Sequence, residues 1–205
     1  EHQPFYDLTF RTAPTAERPM RYLKLRYRYL NDLRESIVVT SVDISSLVAT
    51  TIDPVTGIYN AHGFVQRVDA WLRDNPGRPY RLMFLDFDDF RYINATFGYQ
   101  ASMDLLQDNG LYLHEHDGPN SFSGHLNSDQ FVRFCAVDDG LTPEESYALF
   151  LKRYRHYKLD YPIQIHVGVY DLCEPGCDAY TMIYKALLAQ QTIRSDQTRR
   201  IAYYT

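Results

Sequence analysis

The run Leu85-Asp86-Phe87-Asp88-Asp89-Phe90-Arg91-Tyr92-Ile93-Asn94 constrains this chain more than any other. It continues the strand-like stretch from Tyr80 and reads as a buried strand that ends in acidic residues and runs into a helix. About forty residues later, His125-Leu126-Asn127-Ser128-Asp129-Gln130-Phe131 reads as a short turn with one more carboxylate between two strand-like runs. Paired in one sheet, the two segments bring Asp86 and Asp129 to the same edge. Carboxylates so placed are the usual means of holding a divalent cation beside a nucleotide triphosphate.

The remaining pattern fits an α/β (α+β) chain. Residues 1–46 read as three strands: Phe5 to Arg11, Met20 to Leu30 with its alternation of Leu23, Leu25, Tyr27 and Tyr29 against Lys24, Arg26 and Arg28, and Glu35 to Ile44. Thr12 to Pro19 and Asn31-Asp32 read as connections, and Ser45 to Asp53 as a linker. Helical spacing recurs over Ala61–Arg73, Ala101–Leu113, Glu144–Tyr157 and Ala179–Gln191, with Thr142-Pro143 as a helix start. Strands are expected at Phe122–Leu126, Phe131–Val137, Ile163–Tyr170 and Arg200–Tyr204.

Composition narrows the function classes. The 205 residues carry a formal net charge of -5, which argues against a nucleic-acid-binding surface. No apolar run reaches the roughly 18 residues of a membrane span, so no membrane insertion by this segment is expected. Nothing at the start reads as a signal peptide, and the opening at Glu1 without Met reads as a fragment of a longer, cytoplasmic protein. Cys135, Cys173 and Cys177 are an odd set, expected as free thiols.

From Asp53 onward the chain resembles a GGDEF domain, the diguanylate cyclase fold. Asp53-Pro54-Val55-Thr56-Gly57-Ile58-Tyr59-Asn60 resembles its D-x-L-T-G-L-x-N opening, and Asp86 to Asn94 its D-I-D-x-F-K-x-I-N segment. Thr96-Phe97-Gly98-Tyr99 and His166-Val167-Gly168 are similar to its Phe-Gly-His and Ser-Ile-Gly positions. Val42-Asp43-Ile44-Ser45 resembles the closing signature of a PAS sensor domain. The resemblance thus implies the C-terminal part of a PAS-like domain over residues 1–46, then a GGDEF domain over residues 47–205. It implies a central, mostly antiparallel sheet flanked by helices.

The motif that names the family is altered. Gly-Gly-Asp-Glu-Phe corresponds to Asn127-Ser128-Asp129-Gln130-Phe131. Two side chains replace the turn glycines, and a neutral amide replaces a carboxylate that could take a proton or offset a cation. The second guanine-reading Asp falls at Met103, with Asp104 beside it. The phosphate-holding Lys of the A-D-x-A-L-Y-x-A-K helix is aligned with Gln191, with Lys185 and Arg194 as alternatives. The Arg-x-x-Asp inhibition motif corresponds to Gly118-Pro119-Asn120-Ser121.

These changes lead to an expected regulatory module of cyclic-di-GMP signalling with no catalytic residues and no cyclase turnover. A weakly active cyclase and a ligand-free dimerisation or relay module stand as the alternatives. The resemblance implies Mg²⁺ held with GTP by Asp86, the Phe87 carbonyl and Asp129. It implies nucleotide contacts from Asn94, Asp89, Phe90, Asn127 and Ser128. Partners implied are other domains of the same polypeptide, an upstream PAS part and a downstream EAL phosphodiesterase among them, and a second copy in a homodimer.

Overall fold

The computed structural model describes residues 6–11, 22–29, 37–138, 141–172, 176–196 and 198–205. The chain divides into two units, Glu1–Thr50 and Thr51–Thr205. The expected connections at Thr12–Pro19 and Asn31-Asp32 lie outside the described residues, as does Cys173. Cys135 is a buried free thiol and Cys177 a half-buried one.

In the first unit, β1 (Tyr6–Arg11), β2 (Tyr22–Tyr29) and β3 (Ile37–Asp43) form an antiparallel sheet in that order. Period-2 alternation puts Tyr6 opposite Tyr27 and Leu8 opposite Leu25 on one face. Tyr6 stacks on Tyr27 at 5.2 Å and meets Tyr29 edge-on at 6.3 Å. All seven residues of β3 are exposed. The segment read as a plain linker is helical over α1 (Ser45–Thr51). Asp43 Oδ1 explains the switch: it accepts from the Ser45 N–H at 2.9 Å and the Ser45 hydroxyl at 2.5 Å, which turns the chain out of the strand.

The second unit is built on a six-stranded sheet. Its strands are β4 (Tyr59–Asn60), β5 (Tyr80–Phe87), β6 (Ser121–Asn127), β7 (Gln130–Ala136), β8 (Ile165–Asp171) and β9 (Ile201–Tyr203), in the order β4-β6-β7-β5-β8-β9. The inner pairings β6-β7, β7-β5 and β5-β8 are antiparallel, and the two edge pairings are parallel. The mostly antiparallel sheet expected from sequence is therefore present.

Helices cover both faces because β5 alternates two apolar sets. Leu82 and Phe84 join Val132 and Phe134 of β7 beneath α2 (Ala61–Asp74) and α6 (Ala179–Gln191), whose Phe64, Val68, Met182 and Ala186 complete that core. Met83 and Phe87 join Phe131, Ile165 and Val167 beneath α4 (Tyr99–His116) and α5 (Pro143–Tyr154), with Leu105, Leu113 and Phe150. Local signals set the helix ends. Asn60 caps α2 through Gly63 N–H at 2.9 Å, and Thr142 with Glu145 forms a capping box on α5. Gly168 lets α6 lie directly on β8, since a Cβ there would be 1.9 Å from the Ala186 carbonyl oxygen.

Candidate functional site

Asp86 follows Leu82 and Phe84 in the alternation of β5, so its side chain belongs to the face that α6 covers. It is the last residue of β5 paired to β7, opposite Gln130. The Asn127–Gln130 turn closes the β6-β7 hairpin beside it, and the Phe87 N–H donates to the Asp129 carbonyl at 3.4 Å. The turn is tight enough to put Ser128 at φ 47, a left-handed conformation that glycine adopts without cost. The two segments singled out in the sequence thus meet at one sheet edge.

An open cleft of about 1120 Å³ lies over this edge. Asp86, Phe87, Asp88, Asp89, Phe90, Asn127, Ser128, Asp129 and Gln130 all line it. Asn94 does not: it is exposed on α3 (Phe90–Phe97), one turn past the lining residues Phe90 and Arg91. Asp89 precedes α3 at φ 53 and makes no side-chain cap bond. Its carboxylate instead accepts from the Tyr161 hydroxyl at 2.8 Å, so the first N–H groups of α3 have no carboxylate cap from Asp89.

The charges in the cleft are arranged in two tiers. Asp88 is paired within the fold with Arg200, and His166 Nδ1 lies 2.5 Å from Asp88 Oδ1. Arg200 also donates to Gln164, and His166 Nε2 faces the Asp196 carbonyl at 3.1 Å. Asp86 is less well served. Burial pushes its pKa up, the Asp129 charge adds to the rise, and the Arg194 guanidinium and the Gln130 amide pull the other way. Gln190 Nε2 donates to Asp86 Oδ2 at 3.2 Å, and Arg194 Nη2 stands 3.9 Å from the same oxygen.

The donor set fits Mg²⁺. Asp86, Asp129 and the Phe87 carbonyl are hard oxygen donors, and a cation would offset the Asp129 repulsion that adds to the effect of burial on Asp86. The set is small: among the described residues no group of three or more His, Cys, Asp and Glu side chains is placed to hold a metal. Waters and phosphate oxygens would have to complete the shell.

A second cluster anchors the turn from below. His125 is buried, with Nε2 on the Ser128 carbonyl at 2.9 Å and Nδ1 on Asp53 Oδ1 at 3.2 Å. Asp53 also accepts from Thr56 N–H and Thr56 Oγ1, each at 2.8 Å. The Asp53-Pro54 opening motif is thereby tied to the Asn127–Gln130 turn.

Several site partners were not legible as such. The roles of Gln190, Gln164, His166 and Arg200 arise only when β8, β9 and α6 converge. The one available signal was a His inside the apolar run Ile165–Tyr170. On α6 the residues Ala186 and Gln190 are sealed against the sheet, and Gln191, aligned with the phosphate-holding Lys, is exposed just beyond them. Lys185 lies outside the cleft, 4.7 Å above the Tyr170 ring.

Comparison with known proteins gives the family and the fold. Residues 50–186 match the family model described as "Diguanylate cyclase, GGDEF domain". A curated relative, diguanylate cyclase DgcN of Escherichia coli K12, is 28% identical over 105 residues, which is 50% of this chain and 26% of that protein. The chain thus spans about a quarter of that relative's length. A microbial GGDEF domain whose structure concerns its interaction with cyclic di-GMP superposes with a TM-score of 0.62 at 21% identity, over 77% of this chain and 99% of that one. The coiled coil and GGDEF domain of DgcB from Caulobacter crescentus, in complex with c-di-GMP, gives 0.63 at 16% identity, over 77% and 87%. At these identities the superpositions speak for the fold.

Proposed function

Because the chain belongs to the GGDEF domain family, we propose that residues 47–205 form a regulatory member of it, without cyclase turnover, in a bacterial cyclic-di-GMP signalling protein. The observation that supports this most is the pairing at the end of β5. Gln130, an amide, stands opposite Asp86 where the family motif has a carboxylate, and the turn beside it carries side chains at Asn127 and Ser128. The donors for a cation remain, but the contacts that would orient a second nucleotide for attack are reduced. Losing charge-assisted contacts at about 1.5–3 kcal/mol each removes rate far faster than it removes weak binding.

The ligand proposed is GTP with Mg²⁺. When bound, the cation neutralises triphosphate charge. Asp86, Phe87 and Asp129 would hold it. The N–H groups of Asp89 and Phe90 at the start of α3 would meet phosphate oxygens, because helix N-termini favour anions. Asn94, exposed on α3 one turn beyond the cleft wall, would meet only a base that extends past the cleft, and Asn127 and Ser128 would border the nucleotide. Occupancy would be read by other domains of the same cytoplasmic polypeptide, such as an EAL phosphodiesterase, or by a second copy. Residues 1–46 are proposed as the end of a PAS-like domain, a reading supported by the Asp43–Ser45 hydrogen bonds that join β3 to α1. Among the described residues, no helix is long and apolar enough to cross a membrane.

Calorimetric titration tests this reading. GTP is expected to bind weakly in Mg²⁺, with binding lost in chelator and in Asp129→Ala and kept in His114→Ala, a substitution in the last turn of α4 and outside the cleft lining. Affinity unchanged by chelator and by Asp129→Ala would place any ligand elsewhere.

A further inference from the structure

The place a cation would take at Asp86 is contested from within the chain. Gln190 is 1% exposed and spends its Nε2 on Asp86 Oδ2 at 3.2 Å. Arg194, in the turn after α6, brings a full positive charge to 3.9 Å from the same oxygen. The delivery of Gln190 is built into the fold. At Gly168 the backbone of β8 touches α6 so closely that a Cβ would lie 2.6 Å from the Gln190 nitrogen.

The two groups differ in how they can yield. The Gln190 amide is sealed between α6 and the sheet, so it weakens Asp86 as a ligand whether or not anything else binds. The Arg194 side chain is 69% exposed, its charge is screened by solvent, and it is free to turn toward another anion.

We propose that Gln190 and Arg194 are resident counter-groups of Asp86, which a divalent cation must displace or share. The end of α6 then sets the cation affinity, and an incoming triphosphate helps the cation in by drawing Arg194 away. This rests on the reading that Asp86 and Asp129 hold the cation. It deepens that reading by naming what keeps the cation out when no nucleotide is there.

The test is a titration of the full chain with Mn²⁺ alone, without nucleotide, read by the loss of the free-ion electron paramagnetic resonance signal. Arg194→Ala removes a surface charge, and Gln190→Leu removes the donor while keeping bulk. Thermal unfolding midpoints verify that both variants are folded. Each is expected to tighten Mn²⁺ binding roughly three- to fivefold, the scale of one screened charge or one hydrogen bond. Adding Asp86→Asn to either is expected to abolish the gain. With GTP present, the Arg194→Ala gain in Mn²⁺ affinity is expected to shrink. Mn²⁺ binding by the wild type that is unchanged or weakened in both variants overturns the proposal and leaves the cation site standing. No Mn²⁺ binding by any variant up to millimolar concentration overturns both.

Discussion

Asp53 and Asp86 are both partly sequestered aspartates near the same hairpin, and the fold treats them in opposite ways. Asp53 accepts from Val55 N–H, Thr56 N–H, Thr56 Oγ1 and His125 Nδ1 at 2.8–3.2 Å. Burial pushes its pKa up, but the Thr56 hydrogen bonds and the His125 contact together outweigh burial and hold it below the usual range. Asp86 has the Gln190 and Gln130 amides and a distant guanidinium, and burial, with the Asp129 charge, still raises its pKa. The first carboxylate serves folding. The second is kept ionisable at a cost in stability, as expected of a group held for a ligand.

The largest effect should come from breaking the satisfied member. Asp53→Ala strands the Thr56 and His125 donors and is expected to cost about 3 kcal/mol, visible as a clear fall in the thermal midpoint. A loss below about 1 kcal/mol would erase the distinction. The pH dependence carries a definite sign. Since the folded-state pKa of Asp53 is lowered, its contribution is present above the unfolded-state pKa and is lost as pH falls through the folded value. Acid unfolding of Asp53→Asn should accordingly show a shallower pH slope than the wild type.

His125→Ala should rank next, at about 2 kcal/mol, because it removes the tie to the Ser128 carbonyl and a ring stacked 4.7 Å from Phe131. Asp86→Asn should move the other way and stabilise by about 1 kcal/mol at neutral pH, measured by denaturant midpoint. Its raised folded-state pKa means that the ionised form costs stability above the ordinary carboxylate range. The gain should fade as pH falls and the unfolded chain protonates too. A destabilised Asp86→Asn would make Asp86 a second structural carboxylate. Ser128→Gly should add a few tenths of a kcal/mol by relieving the left-handed φ of 47.

Smallest of all should be the catalytic gain from repairing only the turn. Asn127→Gly, Ser128→Gly and Gln130→Glu together restore flexibility and a carboxylate. They leave Met103 and Gln191 at the positions that the resemblance aligns with base and phosphate contacts, and positioning depends on all of these together. Robust turnover in the triple variant would show that those two positions carry little weight.

The legibility of the sequence follows the same division. Local signals were readable because they are local: the Asp53-Pro54 opening, the Thr142 cap, the alternation of β5 and the acidic end at Asp86. The approach of Asp86 to the carboxylate of the Asn127–Gln130 turn was readable from the two segments, but the register that sets Asp86 opposite Gln130 was not, because β5 and β7 are separated by α3, α4 and β6 and share no turn. The helix over Ser45–Thr51 was hidden because its trigger is one side-chain contact from Asp43. Gln190 looked like any polar residue near a helix end. Its role depends on the closeness of α6 to β8 at Gly168, a packing distance that spacing does not encode. Asn94 matched its motif by position, yet helical rotation leaves it off the cleft wall.

We propose that this edge retains a ligand site and has lost cyclase chemistry. Incubating the purified chain with GTP and Mg²⁺ or Mn²⁺, and separating products by chromatography, tests it most directly. The account predicts no detectable cyclic-di-GMP. Product that forms with the wild type and vanishes in Asp86→Ala would contradict it.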